Sequence, residues 1–261
     1  MHFDASMRGL WRDDGGTNVF DMPVGWSQGR AVFGGLVAAA AVSLATKIVD
    51  DDRALRLISV QMLRPAVPGP VEGDAQHLRS GKYATFVQVT LRQDGETLLT
   101  ANMVFARPRP DSTPVAAAPM WHGADPESLQ SLPYIPGVTP DFTQHISMRW
   151  ATGTFPFMGA PEPRFRGYCR FEIPAGDVEG VVGLLDAWPA PSLSILTSPA
   201  PASTVGWTAH IIEVPESLAG WCRFEYETVV GEGAMHTIVG RLHSPDGRLV
   251  GWTEQLVAVY G

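Results

Sequence analysis

Cysteine is scarce in this sequence of 261 residues, which contains only Cys169 and Cys222. Two cysteines cannot form the disulfide framework of a small secreted domain or supply four ligands to a structural metal ion. The seven histidines do not compensate, because they are scattered and show no His-x-x-x-His spacing. The sequence therefore predicts no metal site, and both cysteines are expected to be small buried hydrophobic residues.

Positive charge is also in short supply. Lysine and arginine total 19 against 27 aspartates and glutamates, so the net charge is −8 at neutral pH. A general nucleic-acid binder carries a basic surplus, and we therefore expect no nucleic-acid partner. With 45% apolar and 18% charged residues, the chain has enough hydrophobic material for a globular core.

Long hydrophobic runs are missing as well. The longest, residues 31–45, is short for a bilayer and is interrupted by Gly34, Gly35 and Ser43, so no membrane span is expected. Residues 1–14 lack the basic start and apolar segment of a secretion signal. These absences together predict a cytoplasmic protein.

Proline, by contrast, is concentrated near the middle of the chain. Eight prolines lie between residues 107 and 140, and each fixes φ and removes a backbone donor. We expect an irregular connection over residues 107–164, which separates an N-terminal unit, residues 1–106, from a C-terminal unit, residues 165–261.

The two units show the same order of secondary-structure signals. In the first, residues 33–48 are apolar on almost every face, which predicts a buried helix, and strand-like segments follow at 55–63, 73–79, 85–92 and 97–106. In the second, a helical segment at 174–188 precedes strands near 204–214, 220–230, 236–243 and 249–259. An Asp-Gly turn precedes the last strand of each unit. The repeated order predicts an α+β fold, in which two tandem helix-plus-antiparallel-sheet repeats form one continuous curved sheet around two central helices.

Four short motifs accompany this pattern. They are residues 29–35 (Gly-Arg-Ala-Val-Phe-Gly-Gly), 62–65 (Met-Leu-Arg-Pro), 78–82 (Leu-Arg-Ser-Gly-Lys) and 246–250 (Asp-Gly-Arg-Leu-Val). Together they resemble the acyl-CoA thioesterase II family and its bacterial relatives, which have the double hot-dog fold. The resemblance covers nearly the whole chain, from about residue 11 to residue 260.

The resemblance implies a thioester hydrolase that converts a fatty acyl-CoA to free fatty acid and CoA, without a cofactor and as a homodimer of two-repeat subunits. In the family a water is held between an aspartate, a hydroxyl and a glutamine, which here correspond to Asp186, Thr204 and Gln255. Ser203 stays an alternative to Thr204, because the correspondence there needs a one-residue gap. Gly206-Trp207 stands where the family commonly has an acidic residue and a histidine.

Asp186 can also be judged from its spacing. Val178, Val182 and Asp186 are four residues apart and share one face of the predicted helix. Burial at the end of this apolar stripe would raise the pKa of the carboxyl, as a general base near neutral pH requires. The alternative is a carboxylate that only caps the helix end before Pro189.

The other two residues lie on predicted strands. Gln255 shares a face with Thr253 and Val257, where its amide would orient a water or bond the backbone of an edge strand. Its counterpart in the first repeat falls near Met103. Thr204 opens a strand, where its hydroxyl would hold the water or bond to Asp186, although threonine is also common in strands.

Two further sets of residues are candidates for binding the substrate. Gly34 and Gly35 precede the first predicted helix, whose free N–H groups would bind the thioester oxygen; alternatively, they allow the helix to pack closely. CoA carries several phosphates, and the cations expected to bind them are Arg30, Arg64, Arg79 and Lys82.

Two other functions fit the same sequence. One is a catalytically degenerate acyl-CoA-binding protein, which Gly206-Trp207 favours. The other is a hot-dog hydratase or dehydratase; these enzymes use a histidine with an aspartate, and the sequence contains no matching histidine loop.

Overall fold

The computed structural model describes Phe3 and residues 10–113, 115–117, 119–175 and 177–260. The helices that position the candidate site are α1 (Gly34–Thr46) and α2 (Val178–Leu185). The strands are β1 (Arg12–Asp14), β2 (Thr17–Met22), β3 (Ser27–Gln28), β4 (Ala31–Val32), β5 (Ala54–Met62), β6 (Gly69–Ser80), β7 (Ala84–Gln93), β8 (Glu96–Ala106), β9 (Gln130–Ser131), β10 (Ile146–Thr152), β11 (Arg164–Phe171), β12 (Ala202–Ile211), β13 (Cys222–Glu232), β14 (Met235–His243) and β15 (Leu249–Val259).

One antiparallel sheet contains all of these strands except the hairpin β3–β4. Its order is β1-β2-β6-β7-β8-β5-β12-β15-β14-β13-β11-β10-β9. The first repeat supplies β2-β6-β7-β8-β5 and the second supplies β11-β13-β14-β15-β12, so corresponding strands occur in mirrored order about the β5–β12 junction. The predicted double hot-dog fold is confirmed, and the predicted strands agree with those observed to within a few residues.

The helices pack against one side of this sheet. In α1 every residue from Gly35 to Ala45 is buried, because its alanines are small enough for α2 and strands β6 to β8 to approach from several sides. Helix α2 begins after Asp177, whose carboxylate accepts a hydrogen bond from the Gly180 N–H over 3.1 Å. It is shorter than the predicted segment 174–188, in which Gly176 lies outside the described residues. No described helix is long and apolar enough to cross a membrane.

The predicted irregular connection, residues 107–164, is only partly irregular. Its described residues up to 125 contain neither helix nor strand, but β9 and β10 follow, and β10 pairs with β11 from Ile146 opposite Phe171 onward. The cause is a period of two, since Ile146, Met148 and Trp150 are all buried. We therefore place β10 in the second repeat, which begins earlier than residue 165.

Candidate active site

Three polar side chains of the second repeat form a hydrogen-bonded chain on the inner face of the sheet. The Thr204 hydroxyl donates to Oε1 of Gln255 over 3.2 Å, and Nε2 of Gln255 donates to Oδ1 of Asp186 over 2.8 Å. Gln255 is buried, whereas Thr204 and Asp186 are partly exposed. The structure therefore brings the three predicted residues together, with Gln255 between the hydroxyl and the carboxylate.

A β-bulge in β12 turns Thr204 toward this inner face. Thr204 pairs with Val257 and Gly206 pairs with Leu256, so Val205 is an extra residue in the strand. In a regular strand Thr204 and Trp207 would point to opposite faces, and the extra residue puts both on the inner face. Ser203, the alternative hydroxyl, is exposed and by the same alternation points outward.

Asp186 lies at the junction of the two repeats. It follows the last residue of α2, and its N–H donates to the Gly183 carbonyl over 3.3 Å. The start of α1 is so close that a Cβ on Gly34 would stand 2.8 Å from Oδ2 of Asp186. Glycine at position 34 therefore admits the carboxylate to the first turn of α1, and the site is built from both repeats.

Burial changes the acidity of this carboxyl. Its removal from water raises the pKa of Asp186 from 3.8 to about 7, while hydrogen bonds from Gln255 and from the Gly35 N–H hold the pKa lower than burial alone would. Tyr226 lies near enough to respond, because burial and then the Asp186 charge raise the pKa of its hydroxyl. Near neutral pH, Asp186 can therefore both accept and return a proton, beside a neutral phenol.

The N–H groups at the start of α1 are not equally available. The Leu36 and Val37 N–H groups donate to the Phe33 carbonyl, and the Gly35 N–H donates to Asp186. Among the described residues, the Gly34 N–H has no acceptor. Of the two glycines predicted to bind the thioester oxygen, Gly34 therefore has the free donor and Gly35 holds the carboxylate.

The described part of the first repeat has no equivalent polar chain at the positions that match Thr204 and Gln255. Gln255 pairs with Trp207 on β12, and Met103 pairs with Ile58 in the matching position on β5. Strand β5 also carries a bulge, between Leu55 and Leu57, which makes the buried Leu55 the counterpart of Thr204. Apolar residues thus replace the hydroxyl and the amide at the matching positions of the first repeat.

The four predicted CoA-binding cations fall into two groups. Arg30 and Arg64 flank the start of α1, because the Val32 N–H bonds the Ala66 carbonyl over 2.8 Å and joins their two segments. Both are exposed, and Arg64 pairs with Glu96 at 3.0 Å.

The remaining two cations, Arg79 and Lys82, lie beyond the opposite end of β5. They sit around the turn between β6 and β7, where Ala84 and Ala54 both pair with Ala106. The length of β5 puts this turn roughly 25 Å from the Met62 end, which adjoins the site. The structure does not bring these two cations together with Arg30 and Arg64.

Some neighbours of Asp186 were not predicted as site residues. Met62 approaches Gly34, with its Cε 3.5 Å from where a Cβ would lie, and its place in the motif 62–65 was the available signal. Tyr226 and Phe224 are two residues apart on β13 and both are buried. This spacing shows that Tyr226 lies on the inner face of the sheet, but it does not show that Tyr226 lies near Asp186.

Other polar features of the structure do not include Asp186, Thr204 or Gln255. His210 stacks on the exposed Trp252 with ring centroids 5.4 Å apart, on the outer face of the sheet. A cavity of about 760 Å³ is lined by residues that include Trp252, Arg166, Glu225 and Tyr226, but not by Asp186, Thr204 or Gln255. The described residues contain no cluster of three His, Cys, Asp or Glu side chains able to hold a metal ion.

Comparison with known families matches both repeats of the chain. Residues 22–106 match the family described as the acyl-CoA thioesterase N-terminal domain, and residues 126–259 match the acyl-CoA thioesterase C-terminal domain. No curated protein matches the chain in sequence.

Solved structures share the fold at low sequence identity. A hot-dog protein of unknown function from Alicyclobacillus acidocaldarius is 21% identical, with a TM-score of 0.88, over 99% of this chain and 98% of that one. The acyl-CoA thioesterase II TesB2 from Mycobacterium marinum is 14% identical, with a TM-score of 0.78, over 98% of each chain. The dehydratase domain of PpsC from Mycobacterium tuberculosis is more distant, 16% identical, with a TM-score of 0.57, over 98% of this chain and 99% of that one.

Proposed function

The chain belongs to the acyl-CoA thioesterase family, whose members are thioester hydrolases, and on that premise we propose that it hydrolyses a fatty acyl-CoA with a water activated by Asp186. The observation that carries the proposal is the hydrogen-bonded chain from Thr204 through Gln255 to Asp186. A carboxyl with a pKa of about 7 suits a base that works near neutral pH.

The hydrogen-bond directions orient the water. Thr204 already donates its hydroxyl proton to Gln255, so its oxygen can only accept a further hydrogen bond. The Asp186 carboxylate is also an acceptor. A water between them would donate one hydrogen to each, which leaves a lone pair directed at a thioester carbon about 3 Å away.

Hydrolysis then follows in two steps. As the water oxygen attacks the thioester carbon, Asp186 takes a water proton and the carbonyl oxygen becomes an oxyanion, which the Gly34 N–H and the positive end of α1 stabilise. Collapse of this intermediate breaks the C–S bond, and CoA leaves as a thiolate that takes up the proton from Asp186 or from solvent. The products are the free acid and CoA, and the steps require no cofactor.

Arg30 and Arg64 support a substrate orientation in which the thioester lies next to Asp186 and the CoA phosphates lie near the start of α1. Both lie close to the start of α1 in a protein of net charge −8, where their guanidinium groups can bind CoA phosphates. The acyl-CoA would then enter from this margin, with its thioester next to Asp186.

The rival functions lack a comparable observation. A binding protein without turnover does not need the Asp186 carboxyl held by Gln255 beside a partly exposed hydroxyl. A hydratase or dehydratase of this fold requires a histidine partner, and the hydrogen-bond partners of Asp186 in the described part of the chain are Gln255, Gly35 and Gly183.

The test is release of free CoA from acyl-CoAs of several chain lengths. We expect Asp186→Asn to lower kcat by roughly 10²–10⁴-fold, as loss of a general base does. Thr204→Val should also lower kcat, whereas Ser203→Ala, its neighbour on the outer side, should leave kcat unchanged. Absence of CoA release by the wild-type protein with every substrate would contradict the thioesterase function, and undiminished activity of Asp186→Asn would contradict the proposed base.

A further inference from the structure

The inner face is closed directly behind the candidate site. Gln255 pairs with Trp207 on one side and with Ile238 on the other, and these two side chains are only 2% and 0% exposed. A channel wide enough for a methylene chain would also admit water against its walls. No such channel therefore runs past these two side chains into the core of the second repeat.

Trp207 is held firmly in this position. Its indole Nε1 donates to Oγ1 of Thr253 over 2.5 Å. Thr253 is fully buried and lies two residues before Gln255, on the same face of β15. The bulge at Val205 puts the indole on the inner face. Moving the ring aside would break the hydrogen bond and leave the Thr253 hydroxyl buried without its donor, which is unfavourable.

The opposite margin of the site is open. Met62, Thr204 and Asp186 are all partly exposed there, in contrast to the closed side at Trp207. A thioester can enter from this margin and place its carbonyl carbon next to Asp186 and Gln255. If its acyl group then points inward, it meets the Trp207 ring.

We infer that Trp207 is the end wall of the acyl pocket and that it restricts the substrate to thioesters with a short acyl group. The inference rests on the proposed thioesterase function, since it concerns the acyl group bound at that site. It gives a role to Trp207 at a place where the related family has a polar side chain. A longer acyl group would have to leave the site along the open margin, where its methylenes stay in contact with water.

Removal of the indole should lengthen the pocket. In Trp207→Ala, each methylene that enters the vacated space should strengthen binding about fourfold, which corresponds to about 0.8 kcal/mol per buried CH2. In the wild-type protein, methylenes beyond the first few of the acyl group should add little to the binding affinity. Trp207→Phe, which removes less volume, should lie between the two.

The measurement is the Kd of non-hydrolysable thioether analogues of acetyl-, butyryl-, octanoyl- and palmitoyl-CoA, by calorimetry. We expect the ratio of octanoyl to acetyl affinity to rise at least tenfold in Trp207→Ala and to stay constant in Trp252→Ala. Trp252 is a matched control because it lies on the outer face and is 36% exposed. Hydrolysis rates for the corresponding acyl-CoAs should follow the same order.

Three results would overturn the inference. The first is an unchanged affinity ratio in folded Trp207→Ala, and the second is wild-type protein that already binds the palmitoyl analogue more tightly than the butyryl one. The third is a shift of the ratio in Trp252→Ala instead, which would place the acyl chain in the cavity that Trp252 lines. If Trp207→Ala fails to fold, Trp207→Phe and Ile238→Ala give the same comparison. If the affinity ratio rises in Trp207→Ala as expected but no thioester releases CoA, the proposed thioesterase function is wrong, while the role of Trp207 as the end wall of the pocket still holds.

Discussion

At the scale of single residues, the function of the site depends on which groups donate and which accept. Gln255 accepts from Thr204 and donates to Asp186, so both neighbours fix the orientation of its amide. The hydrogen bond to Asp186 favours the charged carboxylate, yet burial outweighs it and the pKa still rises to about 7. The same residue is therefore basic enough to take a proton and sufficiently ionised at neutral pH to do so.

The pH dependence of activity follows from this pKa. Below about pH 7 the Asp186 carboxyl is protonated and cannot accept the water proton, so kcat/KM should fall about tenfold per pH unit on the acidic side. The measurement is the pH profile of CoA release, and the residual activity of Asp186→Asn should lack this limb. A profile that stays flat down to pH 5 in the wild-type protein would contradict Asp186 as the base.

The same shift predicts how stability depends on pH. The folded-state pKa of about 7 lies above the value of 3.8 expected for the unfolded chain, so between these values the folded state binds more protons. Proton binding by Asp186 therefore stabilises the folded state at low pH, and this stabilisation is lost as the pH rises through about 7. Asp186→Asn should therefore gain Tm relative to the wild-type protein at pH 8, and the gain should shrink at pH 5.

At the scale of secondary-structure elements, the site depends on how closely the start of α1 approaches the end of α2. Glycine at position 34 leaves the space that Oδ2 of Asp186 occupies, and the Gly35 N–H then reaches the carboxylate. The bulge in β12 has a comparable role, because one extra residue puts both Thr204 and Trp207 on the inner face. Backbone geometry thus sets the positions of the reacting groups.

Gly34→Ala tests the contact between the helices. The added Cβ would stand 2.8 Å from Oδ2 of Asp186, so the carboxylate has to move, and a displacement of this kind should lower kcat roughly ten- to hundredfold. Stability should change little, because alanine is the better helix former. Gly206→Ala is the matched control, since its Cβ would meet only the Val60 carbonyl at 3.9 Å; equal losses in both variants would contradict the proposed contact.

At the scale of the whole molecule, the two repeats have become different. The positions that correspond to Thr204 and Gln255 carry Leu55 and Met103 in the first repeat, while the first repeat supplies α1 to the site of the second. Each repeat therefore contributes something that the other lacks. The long sheet also separates the cations, which puts Arg30 and Arg64 near the site and the other two candidates far from it.

This separation predicts different effects of removing each pair of cations. The double variant Arg30→Ala/Arg64→Ala should raise KM for acyl-CoA roughly tenfold with kcat nearly unchanged, and the difference should shrink at high salt, because exposed charges are screened. Arg79→Ala/Lys82→Ala should leave KM as it is. The measurement is kcat and KM for both variants at two ionic strengths. A larger rise in KM for the second pair would place the CoA phosphates at the other end of the sheet.

Much of the fold follows from local patterns in the sequence. The apolar character of residues 34–46 on every side requires a buried helix, and Asp-Gly turns between alternating segments require hairpins. The duplicated order of these elements predicts two repeats. The strands that precede the two helices were not predicted: β1 and β2 in the first repeat, and β10 and β11 in the second. For β10 the reason is that it follows a proline-rich stretch and its alternation covers only Ile146–Thr152.

The residue types of the candidate site are also readable in the sequence, from the spacing of Asp186 along its helix, the alternation around Gln255 and the family resemblance. Only the tertiary structure decided that Gly34 meets Asp186, that Val205 bulges to bring in Thr204 and Trp207, and that Arg79 lies far from Arg64. The reason is physical: periodicity and propensity act over a few residues, whereas these contacts join positions far apart in the chain. They arise only when the two repeats dock and their strands settle into register.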